Sequence, residues 1–311
     1  MTLTDRVKRK ARELGFQAVG VSRVTSDRPE ASRLTEWLSR GNHGEMGWMA
    51  RTAAKRKNPA LLLPGIRAIV SVGMNYYTEE RPDDRPGQGR IARYARGADY
   101  HRVLGERLES LAGFLQAEAP DARSRAYVDT GPVMEKAWAQ RAGLGWIGKH
   151  SNLVSGQYGS WLLLGEVLTT ADLIPDEPEG DLCGTCTLCI RACPTGAITE
   201  PYVVDSRRCL SYLTIEQKGA IPEEFHKALE NRVFGCDECL DVCPYNHQAT
   251  ETVEPAFRAT PMTLNPDLDT LANQTEEEFQ TAFHTSPVRR ATREGLQRSV
   301  AIALKNARVR A

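Results

Sequence analysis

All eight cysteines of this 311-residue chain lie between Cys183 and Cys243, and the 182 residues before them contain none. Thiols grouped this tightly pair, ligate a metal or do redox chemistry, and the cellular compartment separates these options. The opening stretch, MTLTDRVKRKARELGF, is charged throughout, lacks the apolar segment of a signal peptide and has no twin-arginine pair. The longest strongly apolar run, Trp161 to Leu164, falls far short of the ~20 residues a membrane helix needs. The chain therefore reads as cytoplasmic, where disulfides are rare. That leaves metal ligation.

Spacing decides which metal. The first run is Cys183-x2-Cys186-x2-Cys189-x3-Cys193-Pro194, and the second is Cys209 followed by Cys236-x2-Cys239-x3-Cys243-Pro244. Three thiolates at x2 spacing wrap one corner of a cubane, and the fourth reaches a different cluster, as in bacterial ferredoxins with two [4Fe–4S] clusters. Cluster one then takes Cys183, Cys186, Cys189 and Cys243, while cluster two takes Cys193, Cys209, Cys236 and Cys239. No cysteine is left over. The 26 residues between Cys209 and Cys236 are an insertion in this pattern. A zinc ribbon also uses paired C-x2-C elements, but it needs four cysteines and explains neither the triple x2 spacing nor both Cys-Pro ends. Two neighbouring clusters imply one-electron transport to an acceptor the spacing does not name.

Upstream, apolar periodicity predicts helices over 3–14, 30–40 and 100–118, with strands at Ala18–Val21, Ala68–Met74, Arg125–Val128 and Trp161–Leu168. A further helix is expected to open at Pro132. Strands alternating with helices over about 170 residues indicate an α/β layer domain. Asp172 to Asp181 holds five acidic residues and two prolines and reads as a linker. Beyond the cysteines, an acid-rich stretch precedes a basic helix over 289–310 with Leu296, Val300 and Leu304 on one face. The expected division is 1–175, 176–250 and 251–311.

Forty Lys and Arg balance forty Asp and Glu, which at first argues against a nucleic-acid partner. The distribution says otherwise. Residues 1–67 hold 14 basic and 6 acidic side chains, residues 287–311 hold 7 and 1, and residues 251–281 compensate with 7 acidic and 1 basic. Such asymmetry lets a neutral chain present a positive face. Arg51, Lys55, Lys57, Arg289, Arg290 and Arg293 are the candidate phosphate contacts.

Several motifs compete for the upstream chemistry. Gly143-Leu-Gly145-Trp-Ile-Gly148 matches G-x-G-x-x-G, and Gly148-Lys149 resembles the end of a P-loop. A dinucleotide fingerprint must follow a strand, whereas this one follows a helix, so Gly143 reads as a helix C-cap. Asp99-Tyr-His101 is close to the D-x-H-x-x-G motif that ligates cobalamin through histidine, but Leu104 replaces its glycine, and Asp99 reads as a helix N-cap. Asp129 ends a strand just before a helix. That is a place for proton chemistry as much as for a cap, and a neutral acid there would need its pKa raised by burial.

From Tyr127-VDTGPVMEKAWAQRAGLGWIGKHSNL-Val154 through CGTCTLCIRACPTGAI and GCDECLDVCPYN, the chain resembles the epoxyqueuosine reductase family. KRKNPALLLP from Lys55, Asp99-Tyr-His101 and Cys209-LSYLTIEQKG-Ala220 add to the likeness, which covers nearly the whole chain. The resemblance implies an α/β (α+β) cobalamin-binding domain like that of reductive dehalogenases, a ferredoxin-like module and a short helical C-terminus. It implies reduction of epoxyqueuosine to queuosine at the tRNA wobble position, with base-off cobalamin and two [4Fe–4S] clusters. Asp129 matches the family's proton donor. Arg56, Asn152, Ser211, Lys218 and Asp237 fall in segments that line cobalamin or lie between it and the nearer cluster. An external flavodoxin- or ferredoxin-type donor would feed a monomeric, cytoplasmic enzyme. Longer members continue past the last basic helix into a helical-repeat extension.

Two other readings share some of these features. A ferredoxin-like electron carrier would use only the cysteine module and leave Asp129 unexplained. A dehalogenase-like enzyme acting on a small molecule shares the cofactors but has no use for positive faces. Salt-sensitive binding to tRNA separates the dehalogenase-like reading from the epoxyqueuosine reductase one.

Overall fold

A strand buried along its whole length needs cover on both faces, and Ala68–Asn75 (β2) is such a strand, with all eight residues buried. In the computed structural model, which describes residues 1–83 and 85–310, β2 lies inside a four-stranded sheet. Its partners are β1 (Ala18–Arg23), β3 (Ser124–Tyr127) and β4 (Leu162–Thr169), in the order β1-β2-β4-β3. Every pairing is antiparallel, with Ala18 opposite Gly73, Ala68 opposite Thr169 and Tyr127 opposite Glu166. The α+β form of the expected class is therefore the one the chain adopts, since a parallel doubly wound sheet is absent among the described residues.

The period of two along β2 sorts its side chains between two layers. Val70, Val72 and Met74 face α1 (Leu3–Glu13) and α2 (Tyr100–Glu118), where they pack with Val7, Ala11, Leu104, Leu108 and Leu111. Ile69 faces the other way and packs with Leu62, Leu168 and Trp138 of α3 (Glu135–Arg141). The end of α3 seats directly on β1: a Cβ added at Gly20 would lie 1.9 Å from the Ala142 carbonyl oxygen. α1 opens with a reciprocal Thr2–Asp5 capping box, and α2 opens on Asp99, which accepts the His101 backbone N–H at 3.0 Å.

Two local readings change. α3 starts at Glu135, so Pro132 belongs to a loop ahead of the helix rather than to its first turn. Arg289 and Arg290 lie in a short 3-10 turn, Pro287–Ala291, ahead of α4 (Thr292–Arg310). The glycine motif resolves as a helix end. Gly143 has φ +74, and the Gly143 and Leu144 amides donate to the Gln140 and Ala139 carbonyls, the paired bonds of a Schellman cap.

A second core joins the three expected stretches. Strand Arg232–Phe234 (β5) runs parallel to Arg90–Ile91, and Ile91, Val233 and Phe234 pack with Leu271, Phe279, Phe283 and, from α4, Leu296 and Val300. The C-terminal helices thus clamp the upstream domain to the cysteine module. No helix among the described residues is long and apolar enough to cross a membrane.

Candidate active site and cysteine centres

The two Cys-Pro steps end short helices, Leu188–Ala192 and Glu238–Asp241, which pack against each other. Proline disfavours helical geometry in the residue before it, and Cys193 (ψ 112) and Cys243 (ψ 125) are accordingly extended. Each run's last cysteine is thus turned out of its own loop. All eight cysteines are free thiols. Burial pushes the Cys189 thiol up, and repulsion from Cys183, Cys186 and Cys243 adds to it. Burial acts likewise on Cys239, with repulsion from Cys236, Cys209 and Cys193. Repulsion thus links Cys189 with Cys183, Cys186 and Cys243 as one group and Cys239 with Cys236, Cys209 and Cys193 as a second, while among the described residues no three such side chains already stand in metal-holding geometry. Donors already point at the sulfurs: Ala197 N–H reaches Cys193 Sγ at 3.2 Å, and Trp146 Nε1 reaches Cys183 Sγ at 3.4 Å. Lys149, the residue that made Gly148-Lys149 look like a P-loop, is buried and donates to the Gly184 and Cys186 carbonyls, bracing the first cysteine loop.

Beside the second group opens a cleft of about 1130 Å³. Cys209 and Cys236 line it together with Asp129, Tyr100, His101, Glu135 and Lys136. Arg56, Asn152, Ser211 and Asp237 also line it, whereas Lys218 is exposed and is not part of its wall. Arg56 is buried, stacks on Trp48 and donates to the Val133 carbonyl at 3.0 Å. Asn152 Oδ1 accepts from Lys136 Nζ at 3.0 Å. Desolvation pushes the carboxyl of half-buried Asp237 up, and it accepts the Arg93 backbone N–H at 2.7 Å. At the rim, exposed Arg290 makes a two-pronged ion pair with Glu216, both contacts at 3.0 Å, and Arg289 stands next to it.

Asp129 stands just past β3 with φ +46, a left-handed conformation that aspartate tolerates better than most residues. Its Oδ2 accepts from the Tyr100 hydroxyl and lies against His101 Nε2, each at 3.0 Å. His101 Nδ1 in turn lies 2.7 Å from Asp99 Oδ1. The condition for a neutral acid at Asp129, a carboxyl raised by burial, is not met. Burial pushes the carboxyl up, but His101 and Tyr100 more than offset this and hold it below the usual range. The proton resides on His101 instead: burial opposes the charge, yet its two carboxylate partners raise the imidazole to about 9.

His101 and Tyr100 are the residues that reading the sequence missed. Asp99 is the N-cap as expected, yet the same turn aims the next two side chains at Asp129, 28 and 29 positions along the chain. A helix start carrying a polar aromatic and an imidazole was the available signal. With both ring nitrogens of His101 engaged, neither is free for a metal.

Known proteins resemble the chain along its whole length. A family model described as epoxyqueuosine reductase QueG matches residues 56–130, and one described as a 4Fe-4S double cluster binding domain matches residues 182–246. An epoxyqueuosine reductase of Synechocystis sp. is 48% identical over 86% of this chain and 92% of its own length. That of Gloeobacter violaceus is 44% identical over 96% and 94%, and that of Escherichia coli 41% identical over 98% and 81%. Among solved structures, an epoxyqueuosine reductase with an epoxyqueuosine-modified tRNA-Tyr stem loop superposes with a TM-score of 0.91, at 31% identity over 98% of this chain and 81% of that one. A Bacillus subtilis epoxyqueuosine reductase with its catalytic aspartate loop swung out of the active site gives 0.90 at 31% identity, over 98% and 82%.

Proposed function

This chain belongs to the epoxyqueuosine reductase family, and from that premise we propose that it reduces epoxyqueuosine at the tRNA wobble position to queuosine. The observation that carries the reading is a single cleft that holds Asp129, gripped by His101 and Tyr100, beside Cys209 and Cys236. Turning an epoxide into an alkene consumes two electrons and two protons and releases the oxygen as water. The chain must deliver both kinds of particle to one place.

Cys193, Cys209, Cys236 and Cys239 would hold the cluster nearer the cleft, because two of them line it. Cys183, Cys186, Cys189 and Cys243 would hold the outer one, consistent with the double-cluster model that spans them. The cleft exceeds the ~300–1,000 Å³ of ordinary small-molecule pockets and so has room for a macrocycle. His101, engaged by Asp99 and Asp129 on its two ring nitrogens, serves proton handling at the cleft. Bound there against Arg56, Asn152, Ser211 and Asp237, cobalamin would supply a reducing cobalt centre for the epoxide carbons.

Proton delivery is the work of the chain's own side chains. Asp129 rests ionised against an imidazolium, so the proton nearest the substrate is the one between His101 Nε2 and Asp129 Oδ2. As charge builds on the departing oxygen, Asp129 passes that proton on, and Tyr100 keeps the carboxylate aimed. Exposed Arg289 and Arg290 at the rim, with Arg51 and Lys55 outside it, offer phosphate contacts while the modified base is turned into the cleft. The division into a catalytic part (1–175), a two-cluster part (176–250) and a C-terminal segment (251–311) is retained as a functional one. The setting is a cytoplasmic monomer drawing on an external low-potential donor.

The test is anaerobic reduction of epoxyqueuosine-containing tRNA by enzyme loaded with cobalamin and iron–sulfur clusters, with nucleosides read by mass spectrometry. Queuosine is the expected product, and its absence from fully loaded enzyme overturns the reading.

A further inference from the structure

Two carboxyl groups beneath Asp129 have no part in the chemistry above. Glu166, on β4 opposite Tyr127, has no solvent exposure, and no donor reaches either of its side-chain oxygens. The polar group it meets is the carboxyl of Glu135, the first residue of α3. Two ionised carboxylates are disfavoured in so dry a place, so at least one of the pair holds a proton. Burial and the partner's charge push both groups up, Glu135 to about 8 and Glu166 well above its ordinary value.

The other side of Glu135 reaches the catalytic loop. Its Oε1 accepts the Asp129 backbone N–H at 2.5 Å, at the residue whose φ is +46. A left-handed non-glycine residue persists only where its surroundings over-determine it. Three features do so here: the Glu135 acceptor at Asp129, the Arg56 guanidinium on the Val133 carbonyl, and Gly131, where an added Cβ would lie 2.4 Å from the Tyr127 ring. The charged or titratable groups that face Glu135 are Asp129 from the loop, Glu166 from β4, Lys136 from its own helix, Arg56 from the helix Ala53–Lys57 and Tyr100 from α2.

We propose that Glu135 and Glu166 form a shared-proton latch that holds the Asp129 loop inward, which makes Glu135 a positioning residue for the proton-delivering carboxylate. Neutral Glu166 donates its O–H toward Glu135 and so keeps the pair free of mutual repulsion, while Glu135 Oε1 accepts the Asp129 N–H and fixes its backbone. The proposal rests on the reading that Asp129 delivers the proton.

The experiment is residue-resolved hydrogen exchange on the cofactor-loaded enzyme, paired with steady-state kinetics. Glu135→Leu keeps buried volume but removes the acceptor. The Asp129 amide should then exchange at least about tenfold faster, and kcat should fall by about 10–100-fold, with KM for tRNA within about twofold. Glu135→Gln retains a carbonyl acceptor and should restore most of both losses. An unchanged Asp129 amide and kcat in Glu135→Leu, or a Glu135→Gln enzyme as impaired as Glu135→Leu, overturns the latch. Should Glu135→Leu not fold, the wild-type Asp129 amide decides: protection supports the latch, and exchange at the rate of an unstructured peptide overturns it. Exchange is read without substrate, so its failure leaves the proposed reaction standing. Protection without any queuosine formation would instead refute the reaction and spare the latch.

Discussion

The cysteine module and the Asp129 cleft adjoin, but they are built on opposite plans. In the module, five of the eight cysteines are separated from the next by two or three residues, and proline follows the last of each run. In the cleft, Asp129, His101, Arg56 and Arg290 come from four separate stretches and meet only because the antiparallel sheet and its helices bring them together. The electrostatics differ in the same way. Burial and neighbouring thiols push Cys239 up, whereas His101 and Tyr100 hold Asp129 down. A site made by local spacing tolerates changes elsewhere. A site made by convergence depends on every element that converges.

The largest effect should come from breaking the cysteine group nearer the cleft. Cys239→Ser should cut bound iron by about half and abolish queuosine formation, as checked by iron analysis and product assay. Loss of activity with both clusters intact would detach the module from the chemistry. Next, Asp129→Asn removes the terminal proton carrier and should lower the single-turnover rate by about 10²–10⁴-fold with clusters unaffected.

His101→Gln should cost less, about tenfold or more, and should change the pH profile. In the wild-type enzyme, activity should decline above about pH 9 as the imidazolium loses its proton. The linkage to stability has a definite sign. His101 is raised from 6.5 to about 9, so its contribution is fully present below 6.5 and is lost as pH rises through about 9. Denaturant titrations at both ends of that window should show the wild-type advantage over His101→Gln disappearing at the alkaline end.

Glu135 supplies a comparison of the opposite kind, in which function is kept at a cost to stability. Its carboxyl is raised from 4.5 to about 8, so the stability it contributes below pH 4.5 is lost as pH rises through about 8. Asp129, Glu166, Lys136, Arg56 and Tyr100 are the groups that face it. Glu135→Gln does not titrate and should match the wild type near pH 4 and exceed it at pH 8.5 in chemical denaturation; parity at both ends would show no raised carboxyl. The smallest effect is expected outside the rim. Lys55→Ala should weaken tRNA binding a few-fold and reduce the salt slope by about one, leaving the rate at saturation unchanged.

What could be read before the fold was known follows the same contrast. Helix Tyr100–Glu118 and the two cysteine groups depend on apolar periodicity and spacing, which are properties of neighbouring residues. Asp129 was legible as a polar residue at a strand end, but its charge state was not. A neutral acid would have required burial to raise its pKa, and the histidine that lowers it instead lies 28 residues earlier on another element. The start of α3 was misplaced because Pro132 is permissible both at a helix start and in the loop that carries Asp129. Lys218 shares a stretch with Ser211, yet only Ser211 reaches the cleft, since the short helix Leu210–Ile215 ends before Lys218.

By itself the amino-acid order determined the donor chemistry: eight thiols at ferredoxin spacing, a cysteine-free upstream domain, and basic stretches offset by an acidic one. These are matters of residue type and short separation, and the chain cannot fold so as to hide them. The tertiary structure decided where protons rest. It set Asp129 against His101 and placed Glu135 between Glu166 and the Asp129 amide. Proton affinity depends on burial and on charges within a few ångströms, and only the packed sheet and helices bring those charges that close.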